Sequence, residues 1–400
     1  MVRHALERQT VDDSSATKTS QRPERQIQVT FLTVMPTPYT QDLFHAMTID
    51  GRIRPRVFYM EMAAPDTYWG KVPLPDYATV LPGFWVPFLG GRVHLNRGAV
   101  RAIAADTPDV VVVSGYAGLT NQVVMRWLHR RRIPWVFHGE MPGMRRRLGI
   151  GSALRWLAQR PAMRWADGIA AIGSRAVDAY QHMSSGRCPV VNIPYCCDMA
   201  PFFAIGDWRV RADSRVRFLY CGQLIHRKGV DLLLDAFCRT AARFSHVELM
   251  LVGEGPLRAE LRTRIPQAVQ SRIHFAGFQP VAELPRFFAE ADVFVLPSRH
   301  DGWGVVVNQA IAAGMPVICS DAVGAAADLI VENENGCLFP AGDGERLAEA
   351  VSSFVRHPEK ICGFGRRSRE LAAEWTPQRG VDRWFEFLSE ICSQGDVKRD

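Results

Sequence analysis

The sequence predicts an α/β protein of two doubly wound domains, and three observations carry that reading. Short apolar runs rich in β-branched and aromatic residues, among them Val110–Val113, Ile169–Ile172, Phe218–Cys221 and Val293–Leu296, read as strands buried on both faces of a parallel sheet. These runs alternate with helical stretches at the spacing of βαβ units. The alternation is interrupted between Pro194 and Arg217, where a linker between two domains is expected. At 400 residues and 47% hydrophobic composition, the chain can bury two cores.

Composition narrows the class further. No run approaches about 18 uninterrupted apolar residues. The most apolar stretch, Leu81–Leu89, is broken by Pro82 and Pro87, and no charged-then-apolar leader opens the chain, so a cytoplasmic chain is expected. The 9 cysteines are odd in number and form no C-x-x-C pair, which predicts reduced, mostly core thiols and neither a disulfide framework nor a zinc site. No D-x-D pair is present to hold a divalent metal against a diphosphate. Bound phosphates would therefore be neutralised by Lys, Arg and helix ends, with no metal or other cofactor expected. Residues 26–200 hold 19 Lys and Arg against 11 Asp and Glu, whereas residues 201–400 hold 24 against 26. The front half is the basic half, which implies an anionic surface or acceptor there.

Taken in order, residues 1–26 are polar and lack apolar periodicity, as a disordered tail would. A first strand starts at Ile27, and the loop Pro36–Tyr39 leads into a helix around Gln41–Met47. Arg56–Met60 is the next strand. The connection from Glu61 to Arg97 is too long to be mere linkage. Its aromatics Trp69, Tyr77, Phe84, Trp85 and Phe88 either line an acceptor pocket or pack under the loop, and packing is the expected outcome. From Asp109 the pattern is regular, with strands at 110–113, 135–137, 169–172 and 190–193 and helices at 120–130, 153–165 and 175–182. The strand ending at Phe137 delivers His138, Gly139 and Glu140 to the C-terminal edge of the sheet. The stretch Met144–Ala166 combines six arginines with Leu, Ile and Trp. It fits an interfacial helix on anionic lipid, and equally a core-facing helix with solvated arginines, and Pro161 should interrupt a long surface helix.

The second half repeats the unit. A strand at 218–221 enters the loop Gly222–Gly229, then a helix at 230–243, a strand at 248–252, a helix at 257–264, a strand at 273–275 and a helix at 284–289. The stretch Asp292–Ser320 is the centre of the chain. Its strand Val293–Leu296 meets a polar loop with Gly302 and Gly304, a helix over 305–313 is stopped by Gly314 and Pro316, and a strand resumes at Val317. A strand-to-helix loop of this kind faces the ligand crevice of a parallel sheet, and the backbone N–H groups of Gly304, Val305 and Val306 suit an anion such as a diphosphate. Asp301 stands at the helix mouth and Gln309 inside it.

This stretch resembles the signature S-x-x-E-G-x-G-x-x-x-x-E-A-x-A-x-G-x-P-V-I of the family 4 glycosyltransferases, also known as glycosyl transferases group 1. Ser298, Gly302, Gly304, Ala310, Ala312, Gly314, Pro316 and Val317 hold its spacing. Asp301 and Gln309 replace its two glutamates. The resemblance is strong over residues 200–356 and weak over the first domain, where prolines replace the family's first glycine-rich loop. It implies two facing Rossmann-like domains of the GT-B architecture. Residues 27–200 with about 380–400 would form an acceptor domain, and 201–379 a nucleotide-sugar domain, the last helix near Gly380–Cys392 crossing back to the first.

The family match carries roles residue by residue. Lys228 would reach the donor diphosphate. Gln223 takes the place of the family's arginine, and Arg227 either supplies that charge or points to solvent. Gly277 and Phe278 would hold the nucleotide base, Gln309 the ribose, Asp301 the sugar or its developing cation, and His138 the sugar or acceptor side. The implied activity is retaining transfer from a nucleotide-diphosphate sugar to a saccharide, glycolipid or lipid-linked acceptor in cell-surface polysaccharide, lipopolysaccharide or glycolipid synthesis. It would work without metal and with no nucleic-acid partner, peripheral contact with an anionic membrane resting on the Arg/Trp stretch. The alternative is an inactive relative acting as a scaffold, because both signature carboxylates are altered.

Overall fold

A computed structural model gives the fold and describes residues 26–64, 73–88, 91–142, 150–206 and 215–397. The expected tail, Trp69 and Arg145–Arg147 lie outside the described residues. The first half runs β1 (Ile27–Thr33), α1 (Pro38–Asp50), β2 (Ile53–Tyr59), β3 (Ala78–Val80), β4 (Phe84–Phe88), β5 (Gly91–Leu95), α2 (Ala99–Asp106), β6 (Val110–Ser114), α3 (Leu119–Arg131), β7 (Trp135–Glu140), α4 (Ile150–Trp165), β8 (Gly168–Ile172), α5 (Ser174–Ser184), β9 (Val190–Asn192) and α6 (Ala200–Phe203). The second continues β10 (Val216–Cys221), α7 (Val230–Arg243), β11 (Val247–Val252), α8 (Arg258–Thr263), β12 (Ile273–Gly277), α9 (Leu284–Glu290), β13 (Val293–Leu296), α10 (Val306–Ala312), β14 (Val317–Ser320), α11 (Ala326–Leu329), β15 (Gly336–Phe339), α12 (Gly344–Arg356), α13 (Lys360–Ala372) and α14 (Pro377–Val397).

The strands form a 7-stranded sheet of order β3-β2-β1-β6-β7-β8-β9 and a 6-stranded sheet of order β12-β11-β10-β13-β14-β15, both parallel. Each has a point where the chain reverses its direction of winding, between β1 and β6 in the first and between β10 and β13 in the second. Ligands of open α/β sheets bind at such points, outside the carboxyl ends of the strands. Central strands such as Val110–Val113 and Val293–Leu296 are fully buried, which is why they read as unbroken apolar runs.

Helix α14 returns to the first sheet. Val381, Trp384, Phe387, Leu388 and Ile391 bury themselves against Phe31, Phe44, Val57 and Val112. Arg52 fastens the crossing by bonding Asp50 at 2.7 Å and Asp382 at 2.6 Å while lying over the Phe385 ring. The two domains also meet directly. Asp328 accepts hydrogen bonds from the Ser174 backbone N–H at 3.0 Å and the Asn192 amide at 2.8 Å, so a carboxylate of the second domain sits on the first turn of α5, where the helix dipole favours it.

Three expectations are corrected. The connection 61–97 is not a single loop, because it contains β3 and the antiparallel hairpin β4–β5. On β4, Phe84, Trp85, Val86 and Phe88 are exposed and do not pack under the chain, since the hairpin is a separate two-stranded sheet. Tyr77 does pack against the first core. Pro161 lies inside α4 without interrupting it. Proline removes the bond to the carbonyl four residues earlier, here Leu157, and that residue is exposed, so water can serve the freed carbonyl.

Candidate active site

The loops after β10 and β13 lie side by side at the second switch point. Glycine makes the approach possible, because Gly229 has φ +69° and a Cβ there would overlap the Pro297 carbonyl. Gly253, at φ +139°, is pressed in the same way against the Gly222 carbonyl. The Arg299 N–H donates to the Arg227 carbonyl at 2.8 Å, and the Arg299 guanidinium spans Asp231 with two bonds of 2.7 Å. Burial alone would raise the Asp231 pKa, yet the two Arg299 bonds outweigh it and the carboxyl is held low. This second-row pair clamps one loop to the other.

Lys228 and Asp301 meet across that junction at 2.5 Å, both largely buried. Arg227 turns inward, its Nη1 donating to the His300 carbonyl at 3.1 Å and lying 3.9 Å from Asp301. Asp301 is fixed through its backbone, which donates to the Ala322 carbonyl and accepts from Gly324. Gly304, at φ +90°, turns the chain into α10. The helix begins at Val306 with Val305 as its cap, one residue later than expected, so Gln309 stands about one turn in and is buried. Gly277 closes β12 at φ +72° with its carbonyl accepting from Gly253, and Phe278 beside it is exposed. Gln223 lies in the loop after β10, its carbonyl accepting from the Tyr220 hydroxyl at 2.7 Å.

The first domain presents a different wall. At its switch point the loops after β1, β6 and β7 enclose a cavity of about 390 Å³ lined by Thr33, Tyr39, Ser114, Tyr116, His138, Glu140, Tyr195 and Trp384 among others. His138 lies in this lining, its ring edge-on to Trp384 at 5.4 Å and to Tyr195 at 6.0 Å. Burial pulls its pKa down to about 4, against the opposing pull of the Ile193 backbone, so the imidazole is neutral near pH 7. Burial likewise raises the Tyr39 hydroxyl to about 12 and keeps Tyr195 protonated, leaving both as hydrogen-bond donors.

Sequence reasoning missed three parts of this arrangement. Glu140 ends β7 three residues beyond the expected strand and lies against Gly302 of the other domain. Tyr195, read only as a departure from a linker motif, packs on Tyr39 at 4.8 Å in the cavity wall. Trp303 is buried, donates to the Asn308 side chain at 3.0 Å and abuts Gly173 of the first domain. A signal existed for Glu140, a carboxylate two positions past a strand-end histidine, but nothing in the sequence says which loop faces it.

Two facing Rossmann-like domains, with a basic glycine-tight loop pair at one switch point and a hydroxyl-lined cavity at the other, define a glycosyltransferase of the GT-B type. Solved structures share the fold. Sucrose-phosphate synthase from Thermosynechococcus elongatus superposes with a TM-score of 0.70 at 20% identity over 92% of this chain and 100% of that one. Anabaena HepE in complex with UDP superposes with a TM-score of 0.68 at 18% identity, over 91% and 100%. Residues 215–357 match the family of glycosyl transferases group 1. A GDP-mannose-dependent alpha-mannosyltransferase of Mycobacterium tuberculosis (strain CDC 1551 / Oshkosh) is 30% identical over 304 residues, 69% of this chain and 72% of that protein. The lipopolysaccharide core biosynthesis mannosyltransferase LpcC of Rhizobium leguminosarum bv. viciae is 30% identical over 167 residues, and the match spans 46% of its length. The chain belongs to the glycosyl transferases group 1 and is a glycosyltransferase.

Proposed function

We propose that this enzyme moves a sugar, with retention of anomeric configuration, from a nucleotide-diphosphate sugar on the second domain to a hydroxyl of a saccharide, glycolipid or lipid-linked acceptor on the first. The observation that carries this reading is the convergence of Lys228, Arg227 and Asp301 where the loops after β10 and β13 meet. The barrier to glycosyl transfer lies in separating an anionic diphosphate from an oxocarbenium-like sugar, so groups placed where charge grows lower it most. Lys228 and Arg227 would carry the diphosphate together with the N–H groups of Gly304, Val305 and Val306, which supplies positive charge without a metal. Asp301 would face the sugar once the diphosphate draws Lys228 away from it. Gln309 would hold ribose hydroxyls, Gln223 the phosphate side, Gly277 and Phe278 the base, and neutral His138 the sugar from the acceptor side. No observation favours the inactive-scaffold alternative, since Asp301 keeps its charge and a cationic partner.

Two curated relatives are named as GDP-mannose-dependent mannosyltransferases, so GDP-mannose is the donor to test first. A ligand at about 100 times its dissociation constant adds about 2.7 kcal/mol of stability. GDP-mannose should raise the melting temperature and release GDP when acceptor is added. If neither GDP-sugars nor UDP-sugars shift the melt, the donor reading fails.

The same reading places the enzyme at the inner face of a membrane, as part of envelope polysaccharide or glycolipid synthesis. Among the described residues no helix is long and apolar enough to cross a membrane. Leu154, Trp156 and Leu157 of α4, Leu119 and Val123 of α3, and the apolar residues of β4 are nevertheless exposed. α3 packs against both α4 and β5, so these side chains belong to neighbouring elements. Together β4, β5, α3 and α4 contain seven arginines and no Asp or Glu. Each Arg near an anionic leaflet should contribute about 1 kcal/mol. Co-sedimentation with phosphatidylserine vesicles should weaken with salt and with Arg160→Gln/Arg164→Gln, and indifference to both would leave α4 an ordinary packed helix.

A further inference from the structure

Among the described residues Glu140 is the only carboxylate lining the first-domain cavity, and it stands on the side facing Gly302 of the second domain. Its backbone is held at the end of β7, paired with Ile172 of β8, and its carbonyl accepts from the Tyr180 hydroxyl at 2.6 Å. Its carboxylate faces the Tyr195 hydroxyl and covers Gly302 so closely that a Cβ at Gly302 would overlap it. The side chain is nonetheless exposed to the cleft, and none of the described lysines or arginines forms an ion pair with it. Asp301, by contrast, is buried and engaged by Lys228.

A purely structural contact at this place would be better served by glutamine. Protein on both sides leaves the carboxylate poorly hydrated and Asp301 lies close by, and both effects raise its pKa, ahead of the lowering by Tyr195, Arg227 and Lys228. Tyr39 and Tyr180 also face it, and both stay protonated. A carboxylate kept at this cost, in a cavity also lined by Thr33, Thr37, Thr40, Ser114 and Tyr116, is placed as a ligand-binding group.

We propose that Glu140 is a substrate-binding residue of the transfer site, its carboxylate accepting hydrogen bonds from hydroxyls of the saccharide acceptor where the first-domain cavity opens on the donor loops. Tyr195, whose hydroxyl faces that carboxylate, is its positioning residue. The inference rests on the reading of this cleft as the transfer site, and its test separates the two. Calorimetry would measure GDP binding to the full chain, then methyl α-D-mannoside binding to the GDP-loaded protein. In Glu140→Gln the mannoside should bind about tenfold or more weakly, the range expected when a charged hydrogen bond is lost, with GDP affinity and melting temperature unchanged. Tyr195→Phe should give a smaller, several-fold loss. Mannoside affinity of the parent should fall as pH drops through the carboxyl range, and that dependence should vanish in Glu140→Gln. Unchanged mannoside binding in Glu140→Gln, a matching loss of GDP affinity, or no mannoside binding by the GDP-loaded parent would each overturn the proposal. Failure of the parent to bind either GDP or UDP would instead sink the donor reading.

Discussion

In the second domain the loops at the switch point touch. Gly229 lies on the Pro297 carbonyl, Arg299 bridges to Asp231, and Lys228 closes on Asp301. In the first domain the equivalent loops stand apart. Prolines stiffen the one after β1, where Thr37 caps α1 with Pro38 in its first turn, and a cavity of about 390 Å³ opens between the loops. One winding plan thus yields a tight charged clamp and a roomy hydroxyl-lined pocket. The difference matches the ligands proposed for each: a diphosphate needs close backbone and fixed charge, whereas a saccharide acceptor needs volume and dispersed hydrogen-bonding groups.

The largest effect should come from breaking the clamp at its charge. Asp301→Asn leaves Lys228 without its partner and removes the negative group proposed to face the developing cation, so turnover should fall by roughly a hundredfold or more. Steady-state release of nucleotide diphosphate measures it, and a loss under about fivefold would show that Asp301 is not at the reacting centre. Breaking the clamp at its backbone comes next. Gly229→Ala asks a left-handed residue to carry a Cβ into the Pro297 carbonyl, and should cost about 1–3 kcal/mol of stability, read by thermal or urea unfolding. Gly51 offers a control, also left-handed at φ +81° but with open space around it, so Gly51→Ala should cost less.

The smallest effect concerns how α14 is tied to the first domain. Hydrogen bonding from Arg52 holds Asp50 down at about 2, against burial, which acts the other way. Because the folded value is below the ordinary carboxylate value near ~4, the stabilisation is complete above about pH 4 and lost as pH falls towards 2. Asp50→Asn should therefore lower the melting temperature at pH 7, and the gap to the parent should close on acidification. A gap independent of pH would mean that Arg52 draws its hold on α14 from Asp382 alone.

The strands and glycine loops that build the clamp were legible in the sequence, whereas its cross-loop contacts and most of the pocket were not, for physical reasons. Strands 218–221 and 293–296 are buried on both faces and so read as continuous apolar runs, whereas the contact of Gly229 with the Pro297 carbonyl joins loops 68 residues apart. The helix cap at Thr37 and the crossing of α14 were partly readable, the latter through resemblance. The pocket depends on side chains far apart in sequence, Tyr39, His138, Glu140, Tyr195 and Trp384, which only the sheet order brings together. Helices α2 and α13 and the hairpin β4–β5 carried no distinctive start signals, and the aromatics of β4 imitate a buried strand while standing exposed. Glu140 against Gly302 is a contact between domains, for which a single sequence holds no register at all.

The claim on which both domains' roles depend is that Lys228 and the loops beside it hold the donor diphosphate. Titration calorimetry of GDP and UDP against the full chain and against Lys228→Ala tests it directly. Loss of one charged hydrogen bond is worth about 1.5–3 kcal/mol, so the preferred nucleotide should bind about ten- to a hundredfold more weakly to Lys228→Ala, with the fold intact by circular dichroism. Equal affinity in the parent and in Lys228→Ala would contradict the placement of the donor and, with it, the division of labour between the clamp and the pocket.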